Sequence, residues 1–491
     1  MNICQLIDSL LQYGLKNNLI DKLDYEYSLN ALLSILKLDS YDEVNQHEEM
    51  EIDDILEGIL NYAIDNNIIE NTTESKDLFD SKVMGVLTPK PSEIIRNFYL
   101  YLNEDSKKAT DYFYKLCKDV NYIRSSRIAK DIHFDYQSSY GTINISINMS
   151  KPEKDPNDIK KLLTLKPVCY PKCMLCKENV NYQGRIGFPA RQNLRFIPLT
   201  LANEKYFIQY SPYSYYNEHL ICFHDEHFNM RINRATFEEL IDFIDILPHY
   251  FIGSNAGLPI VGGSILNHQH FQGGKAILPM ENATENYIKK INDVDVYRLN
   301  WPMSVIRLKS TNKQKIVDVA TSIFNNWQDY ENKDLYIINS KDDIHNTITP
   351  IVRYKNNMYE FDLVLRNNIT SESRPNGVFH PRSDYWHIKK ENIGLIEVMG
   401  LAILPSRLKS EMAIVKKYLL NECLTNQELA IIDKHLSWAN SLKENNTINT
   451  NNVDDTINNG IGDVFVKVLK DCAIFKDENL DEFDKFILSV N

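Results

Sequence analysis

Apolar side chains recur every three or four positions through roughly the first 118 residues, as at Leu6, Leu10 and Leu11 and again at Ile55, Ile59, Leu60 and Ala63. That is the spacing of helices with one buried face, and it predicts a helical N-terminal region over residues 1–120 without a catalytic cluster. The period changes after about residue 132. Gly141 to Met149 alternates apolar and polar strictly, as a half-buried strand does, and Lys151 to Pro156 then breaks the pattern, so a mixed or antiparallel sheet is expected to begin here. Strand-like runs follow at 206–210, 220–223 and from 250 to 253. Between the last two, Phe237, Leu240, Ile241, Ile244 and Leu247 mark one face of a helix over 235–247, with Glu238, Glu239 and Asp242 opposite. Residues 255–263 form a glycine and proline loop that leads into 265–272. If that segment is extended, His268, His270 and Gln272 share one face.

Beyond residue 281 the pattern returns in kind, with a helix near 312–328 and strands near 350–354 and 358–366. The order of elements suggests a second unit of related architecture over 281–420 after a first over 121–280, although no aligned repeat is visible. Thr425 followed by Glu428 is a capping box for a helix through about 442, and 421–491 is expected as a helical C-terminal segment. Asn445 to Gly460, rich in Asn, Thr and Asp, reads as a flexible linker or long loop within it.

The 491 residues, 43% apolar, are enough for two or three domains with a real core. No run of eighteen apolar residues occurs and no basic-then-apolar leader opens the chain, so neither a membrane span nor a secretory signal is expected and the default address is cytoplasmic. The net charge of −13 comes almost wholly from residues 41–80, where thirteen Asp or Glu stand against one Lys. These acids are expected on a solvated helix surface. A near-neutral remainder with local Arg and Lys clusters suits a small anionic ligand, whereas nucleic acid calls for an extended basic stripe.

Eight cysteines are too few to staple a chain of this length, and Cys173 with Cys176 is its one Cys-x-x-Cys pair. Six of the twelve histidines fall between His219 and His270. The two cysteines can close on a tetrahedral zinc, with His227 and His268 as candidates for the remaining ligands. A redox pair or accidental spacing is the competing reading, and His219, His224 and His249 are alternative ligands or structural histidines. His268 and His270 can divide their labour, one binding the metal and the other free as nucleophile or base; the plainer alternative is a strand end with two solvated histidines. Gly262, Gly263 and Ser264 offer N–H and hydroxyl donors to phosphate, with Asn255 at the head of their loop. Arg185, Arg191 and Arg195 offer charged donors, or else are solvated loop arginines.

Taken together these residues resemble the galactose-1-phosphate uridylyltransferases of the histidine triad superfamily, specifically their divergent second class found in bacteria. The resemblance runs through Gly141 to Pro156, Cys173 to Asn179, Gln209 to Tyr213, His249 to Asn255, His268 to Gly274 and Ile388 to Gly400, and so covers most of residues 135–420. It implies an α+β fold: two histidine-triad-like mixed-sheet halves, the first catalytic, with a helical N-terminal region and a helical C-terminal tail, often paired as dimers. It also implies transfer of UMP from UDP-glucose to galactose 1-phosphate, giving UDP-galactose and glucose 1-phosphate through a uridylyl-histidine. On that pattern His270 is the nucleophile and Gln272 hydrogen-bonds the transferred phosphoryl group. Cys173, Cys176, His227 and His268 match zinc ligands. Asn392, Glu397 and the polar run holding His380, Arg382 and His387 are candidates for the sugar acceptor, or alternatively ordinary surface or interdomain contacts. Gln269 stands where the better-characterised class has proline.

The mechanism agrees with elementary chemistry, because a neutral imidazole attacks phosphorus well and leaves again from a labile phosphoramidate, dividing one transfer into two easier steps. A dinucleoside polyphosphate phosphorylase or nucleotide hydrolase of the same superfamily is the first alternative. Hydrolases there place a third histidine two positions after the nucleophile, where this chain has Gln272, which favours transfer. A zinc-stabilised nucleic-acid-binding module is opposed by the acidic charge.

Overall fold

The computed structural model describes residues 2–44, 49–149, 168–263, 265–338 and 344–491. Ser264 and the whole stretch from Ser150 to Pro156, where the break after the strand is expected, lie outside them. The N-terminal region is helical as expected: Ile3–Lys16 packs Leu6, Ile7, Leu10 and Leu11 against Ile55, Leu56 and Ile59 of Ile52–Asp65. Gly58 permits the approach, since a side chain there would press on Leu6. Asp77 and Asp80 are not the solvated acids expected of this stretch; Arg124 sits 2.9 Å from each and Arg127 2.6 Å from Asp77. The helices Pro91–Glu104 and Ser106–Asp119 join this region to the sheet, Tyr210 donating its hydroxyl to the Thr110 carbonyl.

Thirteen strands occur among the described residues: β1 (Ile132–Ser138), β2 (Gly141–Asn148), β3 (Ile197–Leu201), β4 (Glu204–Tyr210), β5 (Leu220–His224), β6 (Phe251–Gly253), β7 (His270–Gly274), β8 (Glu285–Ile291), β9 (Val294–Leu299), β10 (Val305–Ser310), β11 (Asn346–Lys355), β12 (Met358–Asn367) and β13 (Leu401–Pro405). Ten form one antiparallel sheet in the order β3-β4-β5-β7-β6-β11-β12-β10-β9-β8. Read inward from either edge, the order is the same: three consecutive strands, then the fifth, then the fourth. In each half a helix follows the third strand, Arg234–Ile246 after β5 and Lys313–Asp329 after β10. The two helices cover one face of the sheet side by side, with the Phe237 and Phe324 rings 5.9 Å apart edge to face. The fourth strands meet at the centre, where Gly253 pairs with Ile351 and Phe251 with Arg353. This is an α+β fold.

The strand predicted at Gly141 to Met149 does not join that sheet. As β2 it pairs with β1 and, in parallel, with β13, which comes from the far end of the second half. This small mixed sheet packs under the helix Val453–Cys472, whose Gly462 lies so close to Tyr136 that any side chain would overlap the ring. That helix also corrects the expectation of a linker over Asn445 to Gly460. Val453, Ile457, Ile461 and Val464 are buried at helical spacing, and this stripe outweighs the Asn and Asp content; only 446–452 stay outside a helix. The capping box at Thr425 forms as expected, but the helix stops at Ile432 and resumes as Leu436–Asn445 after a tight turn that buries His435. Among the described residues, no helix is long and apolar enough to cross a membrane.

Candidate active site

Cys173, Cys176, His227 and His268 converge, each offering one ligand atom within 4.8 Å of the others. The sulfurs lie 3.5 Å apart, Cys173 Sγ is 3.2 Å from His268 Nδ1, and Cys176 Sγ is 3.2 Å from His227 Nδ1 and 3.8 Å from His268 Nδ1. Edges of roughly 3.3–3.8 Å are what a tetrahedron of two sulfurs and two imidazole nitrogens around zinc requires. The group can therefore hold a metal ion. Asn179 braces the cysteine turn by donating to the Cys173 and Cys176 carbonyls at 2.9 and 2.7 Å. His268 donates Nε2–H to the His224 carbonyl at 2.8 Å, which leaves Nδ1 bare toward the cysteines.

The register then separates the two histidines. Contrary to the expected strand over 265–272, β7 begins at His270, so His268 stands before it and its ring belongs to the metal cluster. His270 and Gln272 do share a face, opposite Phe223 and Ile221 of β5, with Gly253 of β6 beside Gln272. His270 is buried, its Nδ1 2.8 Å from the carbonyl of His268, and desolvation lowers its pKa, which keeps the ring neutral. With Nδ1–H donated to that carbonyl, Nε2 carries the free lone pair.

The glycine loop meets the second half. Gly262 and Gly263 have φ of +128° and +67°, and a Cβ on Gly262 would stand 3.3 Å from Asn255 Oδ1, the Gly394 Cα and the Ile393 carbonyl oxygen. Asn255 Oδ1 accepts from the Leu395 N–H at 2.9 Å, and Glu397 caps the turn by accepting from Gly394 N–H at 3.1 Å while Lys389 holds its other oxygen at 2.9 Å. Asn392 Oδ1 lies 2.9 Å from His380 Nε2. Thus Asn255, Gly262, Gly263 and Glu397 are drawn into one seam, whereas Asn392, one residue before Ile393 in the chain, has His380 as its partner. Arg382 and His387 belong elsewhere, the first paired with Asp471 at 3.1 Å, the second 2.9 Å from His435 between Nδ1 atoms.

Arg185 is not in that seam. It donates to the Tyr170 and Val168 carbonyls and to the Tyr182 hydroxyl, and it lines a cavity of about 310 Å³ with Met174, Arg191, Asn193 and Tyr213. Arg191 donates to the Tyr122 hydroxyl. Arg195 is a buried strut that donates to the carbonyls of Thr88, Pro89, Gln192 and Leu194, so neither is a solvated loop arginine. Nor are His224 and His249 ligands: Glu226 N–H donates to the first, and the second lies 2.9 Å from the Thr110 hydroxyl. His219, also outside the metal group, contacts Gln272, its Nε2 3.3 Å from Oε1. Only the pairing of β5 with β7 brings these two together, and sequence spacing holds no trace of it.

Two family models match the chain, "Galactose-1-phosphate uridyl transferase, N-terminal domain" over residues 24–229 and "C-terminal domain" over 243–440. A galactose-1-phosphate uridylyltransferase of Clostridium acetobutylicum is 49% identical over 98% of this chain and 98% of its own, and one of Fusobacterium nucleatum is 45% identical over 99% of each. Among solved structures, yeast Ap4A phosphorylase Apa2 is similar at 11% identity and a TM-score of 0.35, over 59% of this chain and 90% of that one.

Proposed function

The chain belongs to the galactose-1-phosphate uridylyltransferase family, and we propose that within it His270 is the residue that carries the uridylyl group. The enzyme is a nucleotidyltransferase that transfers UMP to galactose 1-phosphate in galactose metabolism. In this reading UDP-glucose is the donor. The Nε2 lone pair of His270 attacks the α-phosphorus, a P–N bond forms, and the P–O bond to glucose 1-phosphate breaks with its electrons leaving on that phosphate. A phosphate oxygen of galactose 1-phosphate then attacks the same phosphorus, forming UDP-galactose and returning the electron pair to Nε2. Nδ1–H stays on the ring throughout, and the His268 carbonyl that accepts it stabilises the positive charge which builds on the imidazole. Gln272 donates its amide hydrogens to the phosphoryl oxygens without serving as a base toward water.

The observation that supports this most directly is the 2.8 Å contact from His270 Nδ1 to the His268 carbonyl, which fixes the tautomer a nucleophilic Nε2 needs. Cys173, Cys176, His227 and His268 would hold zinc, which with four protein ligands would supply structural cohesion. Gly262, Gly263, Ser264 and Asn255 would contribute to phosphate binding; Asn392 and Glu397 would shape the sugar side, Glu397 through Gly394 and Lys389. The cavity beside Arg185 is of a size for the nucleoside end of the donor. A cytoplasmic address and a homodimer complete the reading, the latter open to light scattering.

Incubation with UDP-glucose alone tests it. Glucose 1-phosphate should appear in a burst and UMP should be found on the peptide holding His270, mapped in mild alkali where phosphoramidates survive. Galactose 1-phosphate should discharge the label as UDP-galactose, and His270→Ala should abolish both steps. Full exchange by that variant, or UMP on another residue, would overturn the assignment.

A further inference from the structure

His219 ends the turn before β5, and the antiparallel register that sets Ile221 opposite Gln272 brings its ring alongside the Gln272 amide. The ring is buried and held between Tyr216, centroid 4.6 Å away, and Tyr215, stacked at 5.4 Å. Tyr216 is itself anchored, its hydroxyl donating to the Gly273 carbonyl at 3.1 Å. The imidazole therefore cannot turn, and one of its nitrogens, Nε2, points at Gln272 Oε1. Its other nitrogen, Nδ1, is buried without a partner among the described residues. Protonation on Nε2 leaves a bare lone pair at Nδ1, whereas the opposite tautomer would bury an orphan N–H, the costlier choice. Burial also lowers the ring's pKa to about 4, so it is neutral and donates one hydrogen bond.

A glutamine amide can present either its oxygen or its nitrogen, and the two ends have opposite effects on a phosphoryl group. Oxygen toward the phosphoryl oxygens would set lone pair against negative charge; nitrogen donates to it. We infer that His219 is a positioning residue for the transfer: its Nε2–H holds the Gln272 carbonyl and so turns the Gln272 NH2 toward the phosphorus bound at His270. This rests on the reading of Gln272 given above, but nothing in that reading requires His219.

The test is a double-mutant cycle on the UMP exchange rate. Gln272→Ala alone should lower kcat. His219→Phe keeps an aromatic ring between the tyrosines and removes the donor, and should lower kcat about tenfold with a smaller change in KM, the size expected for one hydrogen bond that orients a charged contact. In the Gln272→Ala background the same substitution should cost nothing further. A second pair avoids dependence on how the phenylalanine packs: the His219→Gln amide reaches where Nε2 stood and should restore exchange, while His219→Asn stops short and should not. Equal losses in both backgrounds, or equal rates for His219→Gln and His219→Asn, would overturn the role of His219 and leave Gln272 in place. Full exchange by Gln272→Ala would instead remove Gln272 itself, and the inference with it.

Discussion

At the scale of single residues, His268 serves two neighbours at once. Its ring faces the cysteines and its backbone carbonyl accepts the Nδ1–H of His270. Purified protein is expected to carry about one zinc per chain, and Cys173→Ser or Cys176→Ser to lose it together with thermal stability. Elemental analysis and a melting curve decide this; metal-free protein whose cysteine variants keep full stability and activity would dismiss the cluster. Gln272→His makes the complementary point, since a histidine there offers the base that Gln272 lacks. Transfer should fall at least about tenfold and the ratio of hydrolysis to transfer should rise. An unchanged transfer rate would exclude Gln272 from the reaction.

At the scale of elements, the helix Val453–Cys472 depends on Gly462 for its fit over β1. Alanine there gains about 1 kcal/mol of helix propensity but must displace the Tyr136 ring near its Cβ, where it cannot swing clear. Gly462→Ala should therefore destabilise by about 1–3 kcal/mol, read from urea unfolding; a stabilised variant would contradict the packing. The same helix shows where the sequence was hard to read. Its stripe of Val453, Ile457 and Ile461 was present but sat within an Asn-rich stretch whose composition argued for a loop. The alternation at Gly141 to Asn148 revealed a strand and could not reveal its partner, since β13 begins more than 250 residues later. The site divides likewise. The cysteine turn and the two histidines announce themselves by spacing, while His219, the Asn255 to Leu395 contact and the late start of β7, which leaves His268 outside the strand, depend on register and long-range closure.

At the scale of the whole molecule, buried histidines set the response to acid. Burial holds His219, His249 and His387 near 4 in the folded chain, against an ordinary value of 6.5. Between those values the unfolded chain binds protons that the folded one refuses, so stability should fall as pH drops from about 6.5 toward 4. Glu239, raised to about 7 by burial, acts in the opposite sense: the folded chain binds its proton first, adding stability as pH falls from about 7 to 4.5. Burial lowers His270 and His435 as well and raises Asp80 and Asp119, so five histidines stand against three acids, of which Glu239 alone is carried to about 7. Urea midpoints should therefore decrease from pH 7 to pH 5, and more steeply in Glu239→Gln, and a flat or rising profile would refute the balance. Residues 1–280 expressed alone should fail to unfold cooperatively, because β6 would lose β11 and β2 would lose β13. A sharp transition in that fragment would argue otherwise. The repeated strand order also carries an arithmetic. Where the first half sets His270 and Gln272 on its face, the same face of the second half is filled by Arg307, buried and bidentate to Asp362 at 2.6 and 2.9 Å, with Arg353 2.8 Å from the same carboxylate. A locked ion network offers no nucleophile and admits no phosphate. Saturating labelled donor should therefore stop at one uridylyl group per chain, half of what two matching halves would suggest.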